Sequence, residues 1–385
     1  MDCYDNWYSF MPTRVVFGAG TSKTLGKEAR ALGATRVFLV TDRGIQQAGV
    51  TDAPLQSLHE AGYDPVTFAD VEEDPPVQTV ERGLALFRET RCDLVAIVGG
   101  GSPICAGKAI ALLATNPGSL YDYEGFDKYH HAPAPVIAVP TTAGSGSEVS
   151  QAFIITDPNK NMKMAIGGRL GFPQVAILDP DLMMTLPYWQ TVVSGLDALT
   201  HAVEAYVALH ASPFSDAPAL EAVRLIFKYL GPAASTSNKQ AKFQMLIAST
   251  LANIAGGNAR LGLGHATSHP LCIKYHLPHG YCNGLMLPFV MEFNMPAAPD
   301  RYVTLAEAMG EVPPIGRPEP YWAIKGVQQL YRELGFPRRL PDQVKPEAFP
   351  SMARLAFDYP GSKTNIRRFT YEDIVGLYEA AARGW

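Results

Sequence analysis

The sequence predicts two domains in succession. An α/β domain on a doubly wound, mostly parallel sheet is expected over residues 1–185, and an all-helical domain over residues 186–385. Three observations carry that expectation. Short, almost wholly apolar runs alternate with helical patterns through the first half, as strands buried on both faces require. After Pro187 the strand-like runs stop and long helical stretches take over. The length, 385 residues, allows two or three domains at roughly 150 residues each, with core enough to fold without disulfide or metal staples.

In chain order, the strands are expected at Arg36 to Thr41, Leu94 to Val98, Val136 to Val139 and Val175 to Leu178. Helical periodicity lies between them, at Ser22 to Leu32, Gln78 to Glu89 and Pro103 to Leu113. In the second half it covers Val193 to Leu209, Ala217 to Tyr229, Lys239 to Ala255 and Tyr371 to Ala382. The 34 glycines and 31 prolines fall between periodic segments, as many short turns demand, and no repeat or low-complexity segment appears.

Composition narrows the function. With 32 basic and 37 acidic residues the net charge is −5, and no basic run stands out, so a nucleic-acid partner is not expected. Apolar stretches such as Ala109 to Ala114 fall far short of the ~18 residues that span a bilayer. The Met-Asp-Cys-Tyr-Asp start lacks the basic and apolar segments of a signal peptide. The five cysteines, Cys3, Cys92, Cys105, Cys272 and Cys282, are odd in number and show no CxxC spacing, which argues against a disulfide framework or a thiolate zinc site. A cytoplasmic, globular protein is expected.

The strand Leu94 to Val98 runs into Gly99, Gly100, Gly101 and Ser102, and Pro103 suits the first turn of a helix. Glycines let the backbone approach a ligand closely, and a helix start offers free N–H groups and a positive dipole end, which suit a pyrophosphate. Ile104 stands where the third glycine of GxGxxG would be, and no Walker loop follows, so alone this could be an ordinary strand-to-helix turn. A second loop after the next strand, from Pro140 to Glu148, carries the hydroxyls of Thr141, Thr142, Ser145 and Ser147 with two glycines. Ligands of open α/β sheets bind beyond the carboxyl ends of the strands, so the two loops together favour a nucleotide. Asp42, also at a strand end, could accept hydrogen bonds from a ribose 2′-hydroxyl, although a lone Asp there is more often a turn or cap residue.

In the helical half, Asp197 and His201 are four apart and share one helix face, a natural start for a divalent metal site, though such a pair alone is more often a simple i,i+4 hydrogen bond. Four of nine histidines, His265, His269, His276 and His279, follow in a single segment. Spacing leaves open which two of the four complete a site with Asp197 and His201, or whether all are core and capping groups. No cysteine lies at ligand spacing, so the implied site is all nitrogen and oxygen, suited to Fe(II), Zn or Mn. A nucleotide in one domain and a metal in the other would place chemistry in the cleft between them. There a Lewis acid holding an alcohol oxygen makes hydride transfer to a nicotinamide feasible.

Carried by GGGSP, PTTAGSGSE, GLDALTHAVEAY and GHATSHPL with PHG, in this order along nearly the whole chain, the sequence resembles the iron-containing (group III) alcohol dehydrogenase family. The resemblance implies a dehydroquinate synthase-like architecture, a dinucleotide domain followed by a helical metal domain, and Asp197, His201, His265 and His279 as ligands. It implies that His269 lines the substrate pocket, where a polar contact assisting proton movement is expected of it, and that Lys163, which by itself reads as a surface residue, contacts the cofactor. Asp74 stands where many members carry Asn, and Cys105 where they usually carry Asp near the nicotinamide. NAD is expected in preference to NADP, with one divalent metal, Fe(II) first and Zn or Mn as alternatives. The expected activity is hydride transfer between a small alcohol or aldehyde and the nicotinamide, in a homodimer or larger homo-oligomer. Two rivals follow from the same residues. A dehydroquinate synthase-type lyase would need several basic groups around the site, whereas Gly264 to Gly280 holds one, Lys274. A cofactor-binding but catalytically impaired relative draws its support from Cys105.

Overall fold

A computed structural model of the chain describes residues 9–159, 162–235, 237–310 and 319–385, so Cys3 and the N-terminal residues read for a signal peptide lie outside the described residues. Two compact units emerge, Met11–Leu186 and Pro187–Trp385, and Phe10 goes with the second through its N–H, which donates to Asn258 Oδ1 at 2.7 Å.

The first unit holds nine strands among the described residues: β1 Arg14–Phe17, β2 Val37–Val40, β3 Val66–Phe68, β4 Leu94–Gly99, β5 Gly125–Phe126, β6 Val136–Pro140, β7 Ala152–Asp157, β8 Met162–Gly167 and β9 Val175–Leu178. Its helices are α1 Leu25–Ala31, α2 Arg43–Gln47, α3 Asp52–Glu60, α4 Val77–Glu89 and α5 Gly101–Thr115. Six strands form a parallel sheet in the order β1-β9-β6-β4-β2-β3. Period-2 alternation explains the layers. Val37, Leu39, Leu94, Ala96 and Val98 pack with Leu25, Ala29 and Leu58 of α1 and α3. Phe38, Val40, Val95 and Ile97 pack on the other face with Val80, Phe87, Ile104 and Ile110 of α4 and α5. Helices cover both faces, which is the expected doubly wound arrangement.

The chain leaves β2 outward to β3, then returns to β4 on β2's other side and continues to β6. The order therefore reverses between β2 and β4, and a ligand crevice belongs at the carboxyl ends of those two strands. Sequence reading missed the hairpin β7–β8, which pairs antiparallel from Ala152↔Gly167 to Asp157↔Met162 and joins β5 in a separate three-stranded sheet. Lys108 of α5, buried to 2 % exposure, fastens that hairpin: its ammonium donates to the Ser150 and Ala152 carbonyls, the latter at 2.8 Å. Burial lowers its pKa to about 8.

The second unit is helical: α6 Tyr188–Tyr206, α7 Pro213–Ser235, α8 Lys239–Ala259, α9 Leu263–Tyr275, α10 His279–Asn294, α11 Pro299–Met309, α12 Tyr321–Glu333, α13 Phe349–Asp358 and α14 Tyr371–Arg383, with no strand among its described residues. α6 is apolar on nearly all sides and buried from Thr191 to Tyr206 save Ser194, as a central bundle helix must be. α7 runs through Pro218 and Pro232, so it extends beyond the Ala217 to Tyr229 pattern at both ends. Buried tyrosines tie helices together, with Tyr331 donating to the Gly284 carbonyl and Tyr378 to the Thr267 carbonyl, both at 2.7 Å. No helix among the described residues is long and apolar enough to cross a membrane.

Candidate functional site

In the first unit, Gly99 ends β4, Gly100 is the N-cap of α5 without a side-chain cap, and Gly101 opens the helix. Gly99 pairs with Pro140, and the Thr141 N–H donates to the Gly99 carbonyl at 3.1 Å, so both predicted loops leave neighbouring strands at one sheet edge. They touch: a Cβ on Gly100 or Gly101 would lie 3.2 Å from Thr142 Oγ1 or 3.3 Å from Ser145 Oγ. Ser147 Oγ donates to Ser145 Oγ at 2.8 Å, and the buried Thr141 Oγ1 has no partner among the described residues. Free N–H groups, hydroxyls and close glycine backbone suit a pyrophosphate.

Asp42 follows β2 and caps α2, its Oδ1 accepting from the Ile45 N–H at 2.8 Å. The cap role that sequence reading held as the commoner fate is thus present. Arg43 is occupied by Asp70 at 2.7 Å. Lys163, which by itself reads as a surface residue, sits on β8 with its side chain 9 % exposed, paired with Asp74 at 2.7 Å. Asp74 has φ 52°, its N–H donates to Ser102 Oγ at 3.2 Å, and its carbonyl accepts from Thr156 Oγ1 at 2.9 Å. The unforeseen hairpin therefore brings Lys163, Asp74 and Ser102 into one group. Beside them Cys105 is half-buried, its Sγ accepting from the Ile154 N–H at 3.4 Å. Burial pushes the thiol pKa up, offset in part by that N–H and the Lys108 ammonium.

In the second unit, α6 carries Asp197 and His201, α9 carries His265 and His269, and α10 begins with His279. One donor atom each from Asp197, His265 and His279 falls within 4.8 Å of the others. Asp197 Oδ1 lies 4.0 Å from His265 Nε2 and 3.9 Å from His279 Nε2, too far for hydrogen bonds between them. The Asn283 amide nitrogen sits amid the three, 2.7 Å from Asp197 Oδ1 and 3.1 Å from each Nε2. Its two hydrogens cannot serve three acceptors at once, so this is a set of lone pairs converging on one point. Mixed oxygen and imidazole donors of this kind fit a divalent transition metal.

His201 lies beside this trio rather than within it. Its ring centroid is 4.3 Å from that of His265, and its Nδ1 is 2.9 Å from the Asp197 carbonyl. Burial and the neighbouring His265 hold its pKa below the usual imidazole value, against the opposing pull of Asp197. His269 is half-buried, its ring 4.4 Å from that of Tyr359 at a 38° tilt and edge-on to His279 at 5.5 Å. His276 is exposed and ends α9 in the left-handed conformation, φ 52°. Sequence reading passed over two buried residues here. Asn283 is four residues after His279 on α10, and Glu204 is three after His201 on α6, so helical spacing was the available signal for both.

Comparisons with known proteins agree along the chain. A family described as "Iron-containing alcohol dehydrogenase" matches residues 12–180, and "Fe-containing alcohol dehydrogenase family, C-terminal" matches residues 191–382. The chain is 38 % identical to the 1,3-propanediol dehydrogenase of Klebsiella pneumoniae over 96 % of its own length and 97 % of the relative's. It is 35 % identical to the NAD-dependent methanol dehydrogenase of Bacillus methanolicus, covering 97 % of this chain and 99 % of that one. The crystal structure of a 1,3-propanediol oxidoreductase superposes with a TM-score of 0.96 at 37 % identity, over 98 % of this chain and all of that one.

Proposed function

Since this chain belongs to the iron-containing alcohol dehydrogenase family, we propose that it interconverts a short primary alcohol or diol and its aldehyde at a metal held by Asp197, His201, His265 and His279. It is a metal-dependent, NAD-linked alcohol dehydrogenase, and the family's cofactors are NAD and an iron ion. The observation that carries the residue assignment is the convergence of Asp197, His265 and His279 donors on one point. His201 joins through Nε2, because Nδ1 is engaged with the Asp197 carbonyl.

Bound there, a divalent metal would supply a Lewis acid for the alcohol oxygen, and a bound nicotinamide would supply the hydride acceptor or donor. Asp197 contributes the negative charge of the site, while the imidazoles present neutral lone pairs. His269, beside His279 and against the Tyr359 ring, contacts the substrate and assists movement of its proton. On the dinucleotide side, Gly99, Gly100, Gly101 and Ser102 cradle the pyrophosphate, and Thr141, Thr142, Ser145 and Ser147 supply hydroxyls. Asp42 meets the ribose, and the Lys163–Asp74 pair holds the far wall. Met11–Leu186 thus forms the dinucleotide domain and Pro187–Trp385 the metal and substrate domain. The size of the substrate rests on relatives named for 1,3-propanediol and methanol. The enzyme works as a homodimer or larger homo-oligomer in the cytoplasm.

An NADH-absorbance screen over methanol, ethanol and 1,3-propanediol, before and after chelation, tests the reading. Turnover with at least one alcohol is expected, lost on metal removal and restored by Fe(II). His265→Ala should lose both metal and activity, and the exposed His276→Ala should lose neither. Full activity in verified metal-free protein, or the reverse order of the two variants, contradicts the assignment. Net NADH accumulation also separates the enzyme from a dehydroquinate synthase-type lyase, which returns its cofactor unchanged.

A further inference from the structure

Glu204 is buried to 3 % exposure, yet nothing in the chemistry above uses it. It lies on α6 seven residues after Asp197 and three after His201, so all three project from one face of the helix. Its Oε2 accepts from His265 Nδ1 at 2.6 Å and from the His265 backbone N–H at 3.2 Å, and its Oε1 accepts from the Gly264 N–H. Those two backbone groups belong to the first turn of α9, whose N-cap, Gly262, offers no side chain. The carboxylate caps that helix from a neighbouring one, with its charge at the positive end of the dipole. Gly264 allows the approach, since a Cβ there would lie 2.8 Å from Oε1.

Three donors leave the carboxylate one orientation, and His265 must carry its proton on Nδ1 to supply one of them. The Asn283 amide nitrogen, a donor only, lies 3.1 Å from His265 Nε2, a placement that agrees with a lone pair on Nε2. The Nε2 lone pair then faces the point shared by Asp197 and His279. We infer that Glu204 is a positioning residue, resting on the reading of His265 as a metal ligand: it fixes the His265 tautomer and ring orientation, and its charge raises the basicity of Nε2 toward the metal. The other imidazoles are held differently. His201 uses the Asp197 carbonyl, and Cys272 Sγ lies 3.7 Å from His279 Nδ1.

The test measures metal affinity by chelator competition in Glu204→Gln and Glu204→Ala, alongside NADH binding, the thermal transition and the visible spectrum of the Co(II)-loaded protein. The expected metal dissociation constants rise about 10-fold for Gln and about 100-fold for Ala, with altered cobalt bands and unchanged NADH binding. Folded variants within twofold of the native affinity overturn the inference. Should neither variant fold, 15N NMR of the native zinc-loaded chain decides: His265 with a protonated Nδ1 in a strong hydrogen bond supports the role, and ligation through Nδ1 refutes it. His265→Ala run in parallel separates the two claims. If it also binds metal like the native chain, the ligand assignment fails. If it loses metal while the Glu204 variants do not, only the positioning role fails.

Discussion

Cys105 stands on the first turns of α5 with its Sγ on the Ile154 N–H, and its electrostatic neighbours are Lys108, Lys163 and Asp74. A carboxylate there would keep an N–H partner and face two ammonium groups and one like charge. Cys105→Asp, the residue that the family usually carries, is therefore expected to fold, to load metal and to shift KM for cofactor or substrate up to about tenfold, roughly 1.4 kcal/mol of differential binding. Steady-state kinetics on metal-quantified protein check this, and insoluble protein would show that the thiol is packed in a dry core. Asp42 offers a second single-residue test. A carboxylate at this strand end accepts from a 2′-hydroxyl and repels a 2′-phosphate, so Asp42→Gly should narrow or reverse a preference for NAD, mainly through KM for NADP. The lost cap to Ile45 is a small complication, because glycine at an N-cap costs only a few tenths of a kcal/mol. Equal use of both cofactors by the native chain, with no response to the substitution, would remove Asp42 from that role.

At the level of elements, the candidate site depends on how closely two helices approach. α10 starts against α6, where a Cβ on Gly280 would run into the carbonyl oxygen of Val193 and lie 3.1 Å from Asp197 Cβ. Backbone cannot move aside as a long side chain can, so Gly280→Ala must push the start of α10 outward. His279 and Asn283 would move with it, away from Asp197. The expected result is a protein destabilised by about 1–3 kcal/mol, as overpacking typically costs, with metal affinity reduced more than NADH affinity. Denaturant melts and chelator competition measure both, and native metal affinity would show that the helix pair is compliant. The β7–β8 hairpin plays a comparable part in the first unit: without it Lys163 would have no strand to stand on and Asp74 no partner for its carbonyl.

For the whole molecule, ligand binding and folding are linked. A metal that binds the native chain and not the unfolded one adds about 2.7 kcal/mol at one hundred times its dissociation constant. Titrating Fe(II) or Zn(II) into chelator-treated protein should raise the Tm progressively, and His265→Ala should flatten that response. A flat titration for the native chain would mean that the donors of α6, α9 and α10 do not act as a site. The sequence alone determined the fold class, because apolar alternation and helical periodicity are local and each strand or helix displays its own. It also determined where chemistry should lie, since glycines after a strand and an Asp/His pair at i,i+4 have meanings that span a few residues. Spacing alone could not choose among His265, His269, His276 and His279, which lie two or three helices beyond Asp197 along the chain, and there the family resemblance made the choice. Which histidines lie beside Asp197, where Asn283 and Glu204 sit and how deeply Lys163 is buried are set by tertiary packing, because these side chains come from elements far apart in the chain: Gly280 lets α10 approach the α6 backbone, and Gly264 leaves room for the Glu204 carboxylate.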